Sequence, residues 1–398
     1  MPLETDRTLK IMLVAGEASG DAHAAKLVNA LRAESAGRDF EFFGCAGPAM
    51  RSAGVEAVVK ADDLAIIGIP EIARAIGVFL KAFRDLKKAA AVRKPDVVVL
   101  VDFPEFNLKL AKSLKRSGLR VVYYISPQLW GWREYRKRTI RDSVDLLLAV
   151  LPFEKDWYAR HGIKNVEYVG NPLANEVKPS GTREAFRMRH GLNVDAPLIA
   201  LLPGSRQKEL TKILPPMLEA ASLIAAASLI AATDPTAQFI IPLASTRKEE
   251  EVRSAVAGLE RRNIQPPNHL VVVKGETYDA LNAADAAAVA SGTATLETGI
   301  IGTPMAIVYK ASSLNYGLVR PLINVDHFGL INLIAGKRVA AEFIQNDLTP
   351  ETLAAELQRL LEPEINARVR SDLNEAARKL GQGGASKRAA EAILRLIL

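Results

Sequence analysis

AAAVASGTATLETGIIGTPMAIVY, residues 286–309, reads as strand, turn, helix and strand in immediate succession, and that reading sets the fold. Ala286–Ala290 and Met305–Tyr309 are short apolar runs of the kind buried on both faces of a sheet, and Ser291 and Gly292 break the first of them. A helix-length segment between two such strands is the mark of a parallel βαβ unit. Where the strand stops and the helix begins, the N–H groups of the first turn point outward unpaired, beside the positive helix end. That geometry binds phosphate. Glu297 follows Thr293 by four residues, one helical turn along the same face, where it can accept hydrogen bonds from a sugar's hydroxyl pair. Ser-Gly-Thr is equally an ordinary helix cap, and the stretch alone does not choose.

The same alternation runs outward in both directions. Strand-like runs at Leu9–Ala15, Asp96–Val101, Arg120–Ile125 and Leu146–Leu151 are followed by Leu198–Leu202, Gln238–Pro242 and Leu270–Val273, with helix-length amphipathic segments between them. An α/β fold of two doubly wound domains is expected. With 398 residues a single core would be unusual. Pro172, Pro179 and Gly181 punctuate a polar stretch at Asn171–Gly181, which is read as the linker and hinge. The expected division is 1–178, 179–362 and a helical C-terminal part, 363–398. ASLIAA at Ala221–Ala226 recurs at Ala227–Ala232, a tandem duplication that lengthens one helix and carries no functional claim.

Composition narrows the class. Apolar residues make up 49% and charged residues 24%, which describes a globular chain, and the net charge of +7 suits an anionic partner such as phosphate esters or an acidic membrane surface. Cys45 is the only cysteine, so neither an intrachain disulfide nor a cysteine metal cage can form. The five histidines are scattered and no D-x-D occurs, so no metal site and no cofactor are expected. Polar residues run directly into Leu9–Ala15 without the apolar stretch of a signal peptide, and cytoplasmic residence is expected. No eighteen-residue apolar run occurs.

Several strand ends carry candidate chemistry. GEASGD, Gly16–Asp21, is neither a Walker A loop nor a G-x-G-x-x-G fingerprint, but its glycines admit close approach with Glu17 and Asp21 flanking them, while Ser19 or Asp21 can equally cap the following helix. VDFPEFN, Val101–Asn107, ends a strand in Asp102, where ligands of open parallel sheets bind, and one carboxylate there is what an inverting group transfer needs. Asp102 as a mere turn cap before Pro104 is the competing reading. ISPQLWGWREYRKR, Ile125–Arg138, interleaves Trp130 and Trp132 with cations, a composition that suits a membrane interface or a phosphorylated lipid, with nucleic acid ranked last. LLPGSR, Leu201–Arg206, offers a planar cation with Gly204 clearing space. Between Leu64 and Leu86, Ile69, Ile72, Ile76, Phe79 and Phe83 recur at helical spacing before a basic tail, a pattern of core helices and of membrane-interface helices alike.

Taken together, GEASGD, VDFPEFN, SPQLWGWR, LPFEK at Leu151–Lys155, LLPGSR, ASGTATLE and NLIAG at Asn332–Gly336 resemble the lipid-A-disaccharide synthases, in the expected order. The resemblance implies two Rossmann-like domains of the GT-B type with a deep interdomain cleft. It implies transfer of 2,3-diacylglucosamine from UDP to 2,3-diacylglucosamine 1-phosphate with inversion, by an enzyme peripheral on the inner face of the cytoplasmic membrane. By that likeness Asp102 is the base. Gly204, Ser205, Arg206, Ser291, Gly292, Thr293 and Glu297 contact UDP, and Glu17, Ser19, Gly20, Asp21 and Asn332 are substrate residues. The family often has Asp where this chain has Glu105, which favours Asp102 as the base. Two other readings stand beside it: a UDP-N-acetylglucosamine epimerase of the same build, and a non-catalytic two-lobed binding protein.

Overall fold

The strands pair in parallel throughout the described residues and form two sheets. The first contains β1 (Leu9–Ala15), β2 (Phe40–Ala46), β3 (Glu56–Lys60), β4 (Val97–Val101), β5 (Val121–Tyr124), β6 (Leu146–Ala149) and β7 (Val166–Tyr168), in the order β3-β2-β1-β4-β5-β6-β7. The second contains β8 (Leu198–Leu202), β9 (Gln238–Leu243), β10 (Leu270–Lys274), β11 (Ala286–Ala290), β12 (Met305–Tyr309) and β13 (Ala341–Ile344), in the order β10-β9-β8-β11-β12-β13. The computed structural model describes residues 7–35, 37–65, 72–230, 236–311 and 326–398. The expected α/β class is therefore observed twice over. Central strands such as VVVLV of β4 and AAAVA of β11 are buried along their whole length, because helices cover both faces of a parallel sheet.

Four strands escape the sequence reading: β2, β3, β7 and β13. β7 has three residues, and β3 and β13 are half-exposed strands, β3 and β7 closing the two edges of one sheet and β13 one edge of the other. Edge strands of this kind lack the continuous apolar run that marks a central one.

The chain divides into two compact units, Met1–Pro172 with Gln382–Leu398, and Leu173–Gly381. The division thus falls inside the Asn171–Gly181 linker, six residues before the expected boundary at 178. Ser180 and Gly181 are fixed to the second unit, both donating to the buried Asp279 carboxylate. The C-terminal helices do not form one group. Pro363–Arg378 stays with the second unit, where Asn366 Nδ2 donates to Asp285 O at 2.8 Å and Arg370 Nη1 to Gly302 O at 3.0 Å. The last helix, Ala385–Ile397, packs on the helix Ala18–Glu34 of the first unit, and Arg388 Nε donates to Val169 O at 2.8 Å.

Helix Gln207–Ile230 contains a stretch, Gln207–Ser228, long and apolar enough to cross a membrane by composition. Its inner face, including Leu214, Met217, Leu218 and Ala221, is buried within the second unit, so it is a core helix. The second copy of ASLIAA runs past it, beyond the described residues.

Candidate active site

Each sheet reverses its strand order beside its own first strand, between β1 and β4 in one unit and between β8 and β11 in the other. The connections leaving the carboxyl ends of two such neighbours diverge to opposite faces and leave a crevice, the usual ligand position in open α/β sheets.

In the first unit Ala15 pairs with Val101, so Glu17 and Asp102 leave the sheet side by side. Asp102 and the next residue, Phe103, both have left-handed backbones, φ 48° and 53°. Such conformations cost about 1–3 kcal/mol each in non-glycine residues and persist only where the surroundings enforce them. Here the enforcement is visible. The Asp102 carbonyl accepts from Tyr123 Oη at 2.7 Å and from Asn107 Nδ2 at 2.8 Å, while its N–H donates to Tyr124 O at 3.0 Å. Asn107, fully buried, also reaches Val14 O and Val101 O, stitching the ends of β1 and β4 to the turn. The Phe103 ring stacks on Phe106 with centroids 5.5 Å apart and lies against Gly16, where a Cβ would stand 2.3 Å from it. Only glycine fits there.

Pinned in this way, the Asp102 side chain is free to do chemistry. Burial, reinforced by the charge of Glu17 and opposed by the Phe103 backbone N–H, pushes its pKa up to about 6. A carboxylate at that value is ionised at neutral pH yet basic enough to take a proton. Removal of the Tyr123 hydroxyl tests the scaffold: Tyr123→Phe is expected to cost about 1 kcal/mol of stability in urea unfolding, as one hydrogen bond to a strained turn is lost.

Glu17 and Ser19 are exposed on the start of the following helix, while Gly20 is buried against Ala15 and Val101. Asp21 has a different job from the one expected. It is 3% exposed, and its carboxylate accepts from Gly47 N and Ala49 N, both at 2.8 Å, and Met50 N at 3.2 Å, capping the short helix Pro48–Ser52. Its carboxylate is thus engaged by the protein's own amides.

In the second unit Leu202 pairs with Val289, and the loops after β8 and β11 enclose a cavity of about 340 Å³. Gly204, Ser205, Arg206, Ser291, Gly292, Thr293 and Glu297 all line it, so the structure brings these seven together. Helix Thr293–Ile301 starts at Gly292 without any side-chain cap, since the Ser291 hydroxyl donates instead to Phe328 O at 3.0 Å. The capping reading of Ser291 is thereby replaced, and the helix end faces the cavity open. Glu297, deeper in, is held by Tyr278 Oη at 3.2 Å, and burial raises its pKa against that hydrogen bond.

The loop after β8 is built by a residue that sequence reading missed. Glu209 reaches back to accept from Ser205 N and Arg206 N, each at 3.1 Å, and Gly204, at φ +105°, leaves room where a Cβ would stand 2.4 Å from the carboxylate. Those two amides are therefore occupied, and the loop's contribution to an anion is the Arg206 guanidinium, 84% exposed and paired with Glu209 at 3.3 Å. Asn332 also departs from expectation. Fully buried, it donates to Ala340 O and Glu342 Oε1 and accepts from Val339 N and Ala340 N, bracing the turn before β13 with every polar atom engaged.

Comparison with known proteins follows the same lines. Solved structures share the architecture: a UDP-N-acetylglucosamine 2-epimerase described as putative, from Listeria monocytogenes, aligns at TM-score 0.65 with 14% identity over 97% of this chain and 96% of its own. The calicheamicin glycosyltransferase CalG4 aligns at TM-score 0.56 with 14% identity over 98% of both chains. Those likenesses show the fold. In sequence, the chain is 42% identical over 388 residues to the lipid-A-disaccharide synthase of Syntrophus aciditrophicus, covering 97% of each, and 43% identical over 389 residues to that of Myxococcus xanthus, covering 98% of this chain and 97% of the other. The family described as lipid-A-disaccharide synthetase matches residues 11–396. With nearly the whole length matched in this way, the chain belongs to the lipid-A-disaccharide synthetase family.

Proposed function

We propose that the chain is an inverting glycosyltransferase that moves 2,3-diacylglucosamine from its UDP derivative to the 6-hydroxyl of 2,3-diacylglucosamine 1-phosphate, giving the β-1,6-linked disaccharide 1-phosphate and UDP. The observation that carries the reading is the family match along residues 11–396. The first unit takes the acceptor and the second takes the UDP-sugar. As the acceptor oxygen attacks the donor's anomeric carbon, Asp102 accepts its proton, and the bond from that carbon to the diphosphate breaks with its electron pair leaving on UDP. The start of helix Thr293–Ile301 and Arg206 stabilise the leaving charge, and Glu297 accepts from the ribose hydroxyls. Displacement in one step inverts the anomeric centre.

Arg206→Ala is expected to lower kcat/KM for the donor by about tenfold to a hundredfold, the range of a charged hydrogen bond; initial rates at varied donor check it, and an unchanged value removes Arg206 from the site. Mass analysis tests the reaction itself. The acceptor should gain one diacylglucosamine unit per UDP released, whereas conversion of UDP-N-acetylglucosamine without lipid would favour an epimerase.

Lipid substrates call for a membrane surface. On helix Ile72–Arg93, Phe79 and Phe83 pack against Phe106, but Ile76 and Leu80 are 56% and 53% exposed, with Lys81, Arg84, Lys87 and Lys88 exposed nearby. Ile69 lies outside the described residues. Apolar side chains flanked by cations suit the inner face of an anionic bilayer. Ile76→Asp with Leu80→Asp should reduce co-sedimentation with anionic liposomes about tenfold or more, since each change removes an exposed apolar group that the bilayer would bury; undiminished binding would place the docking face elsewhere.

A further inference from the structure

The loop after β5 holds two arginines that the transfer reaction as described does not use. Arg133 and Arg136 both donate to one carboxylate, that of Glu105, the latter at 2.7 Å. Glu105 lies three residues beyond Asp102, in the first turn of helix Pro104–Arg116, and Val101 pairs with Tyr124, so the guanidinium pair and the base stand at the same carboxyl end of neighbouring strands. The loop is built to keep it there. Arg133 has a left-handed backbone, φ 57°, and its guanidinium lies 4.2 Å from the centroid of the exposed Trp132 ring. Beneath it Trp130 Nε1 donates to the fully buried Glu154 carboxylate at 3.1 Å, which also accepts from Val150 N and Leu151 N. A strained arginine on a braced loop is unusual for a solvated surface charge.

Two cations on one 60% exposed carboxylate leave a net positive charge, and each guanidinium has further N–H donors beyond the one used on Glu105. Planar forks converging on two oxygens of one anion are the arrangement that recognises a phosphate monoester. We infer that Arg133 and Arg136 form the subsite for the anomeric phosphate of the acceptor sugar, with Glu105 holding the pair in shape until that phosphate arrives. The inference rests on the proposed transfer reaction. In a pyranose the 6-hydroxyl and the anomeric oxygen flank the ring oxygen, so a sugar with its 6-hydroxyl at Asp102 carries its phosphate only a short way off, at the same end of the sheet. Bilayer phosphates share this chemistry, and the test separates the two sources.

The test compares acceptors with and without the 1-phosphate, in neutral detergent micelles, for the full-length protein and for Arg133→Gln, Arg136→Gln and Glu105→Gln. The unmodified protein should prefer the phosphorylated acceptor in kcat/KM, and either arginine variant should lose about tenfold or more of that preference, with donor KM within about twofold. Glu105→Gln, which leaves the arginines uncompensated, should lower KM for the phosphorylated acceptor. Unchanged preference in both arginine variants overturns the inference, and so does loss of vesicle binding in them without loss of preference, which would assign the pair to bilayer phosphate. Calorimetric titration with glucosamine 1-phosphate against glucosamine keeps the two readings apart. A protein that binds the first through Arg133 and Arg136 but makes no disaccharide sinks the transfer reaction and keeps the phosphate subsite; one that transfers but binds both sugars alike sinks the subsite.

Discussion

Asp102→Asn should reduce sugar transfer by about a thousandfold, within the range that loss of a general base produces, while leaving the protein folded. The two halves of that expectation come from different atoms of one residue. The turn is held through the main chain of Asp102, by Tyr123, Asn107 and the Tyr124 carbonyl, and asparagine is among the residues that best tolerate a left-handed backbone. Only the carboxylate changes. Because burial and Glu17 raise the pKa of Asp102 to about 6, its ionised form is disfavoured in the folded protein, and removing that charge should leave the melting temperature at pH 7 equal or higher. The same shift fixes the pH profile. The fraction of enzyme with an ionised base rises as pH rises through about 6, so kcat/KM should climb across that value on its acidic limb. Glu17→Gln removes a like charge and should move the limb to lower pH. A variant Asp102→Asn with near-normal turnover, or a flat profile between pH 5 and 7, would contradict the assignment.

Asp285→Ala should cost about 3 kcal/mol of stability in the second unit, the scale for breaking a buried ion pair on one side. Asp285 immediately precedes β11, and its carboxylate accepts from Leu198 N at 2.9 Å, from Arg187 Nη2 at 2.8 Å and from Arg183. Arg187 is 3% exposed and otherwise reaches only carbonyls, those of Ala283, Val194 and Ala196. Without Asp285 a guanidinium stays buried with no countercharge. Burial alone would raise the pKa of Asp285, but the Leu198 N–H and the two arginines outweigh it and hold it below the usual carboxylate range. The stabilisation is therefore full above the ordinary aspartate pKa and is lost as pH falls through the lowered one. Urea unfolding at pH 7 should show an earlier second-unit transition for the variant, and the difference should shrink in acid. Equal midpoints at pH 7 would mean that Arg187 is satisfied by carbonyls alone.

What the sequence discloses is set by how local the cause is. β8, β11 and β12 read to the residue because helices bury both their faces and leave an uninterrupted apolar run, and β1 does so with Lys10 as its one interruption. β3, β7 and β13, short and at the sheet edges, leave no such run. In the second unit, the seven cavity residues expected from the sequence come from two strand-turn-helix segments, and their convergence follows from the adjacency of β8 and β11. Asp21 and Asn332 sit in motifs just as local, yet their burial and partners come from residues up to 29 positions away, and nothing in a motif tells a polar side chain that binds a ligand from one that caps a helix. Asn107 and Glu154 lie inside the quoted VDFPEFN and LPFEK, and Tyr123 is a hydroxyl within the buried run VVYY; a polar atom in an otherwise apolar strand is the signal that could have found it.

The central claim is that one displacement, with Asp102 as base, joins two diacylated glucosamines. It is tested most directly by incubating the protein with UDP-2,3-diacylglucosamine and 2,3-diacylglucosamine 1-phosphate in mixed micelles and determining the anomeric configuration of the purified product by proton NMR. A single β-1,6-linked disaccharide 1-phosphate, formed in step with UDP, is the predicted result; no disaccharide, or an α-linked one, would contradict it.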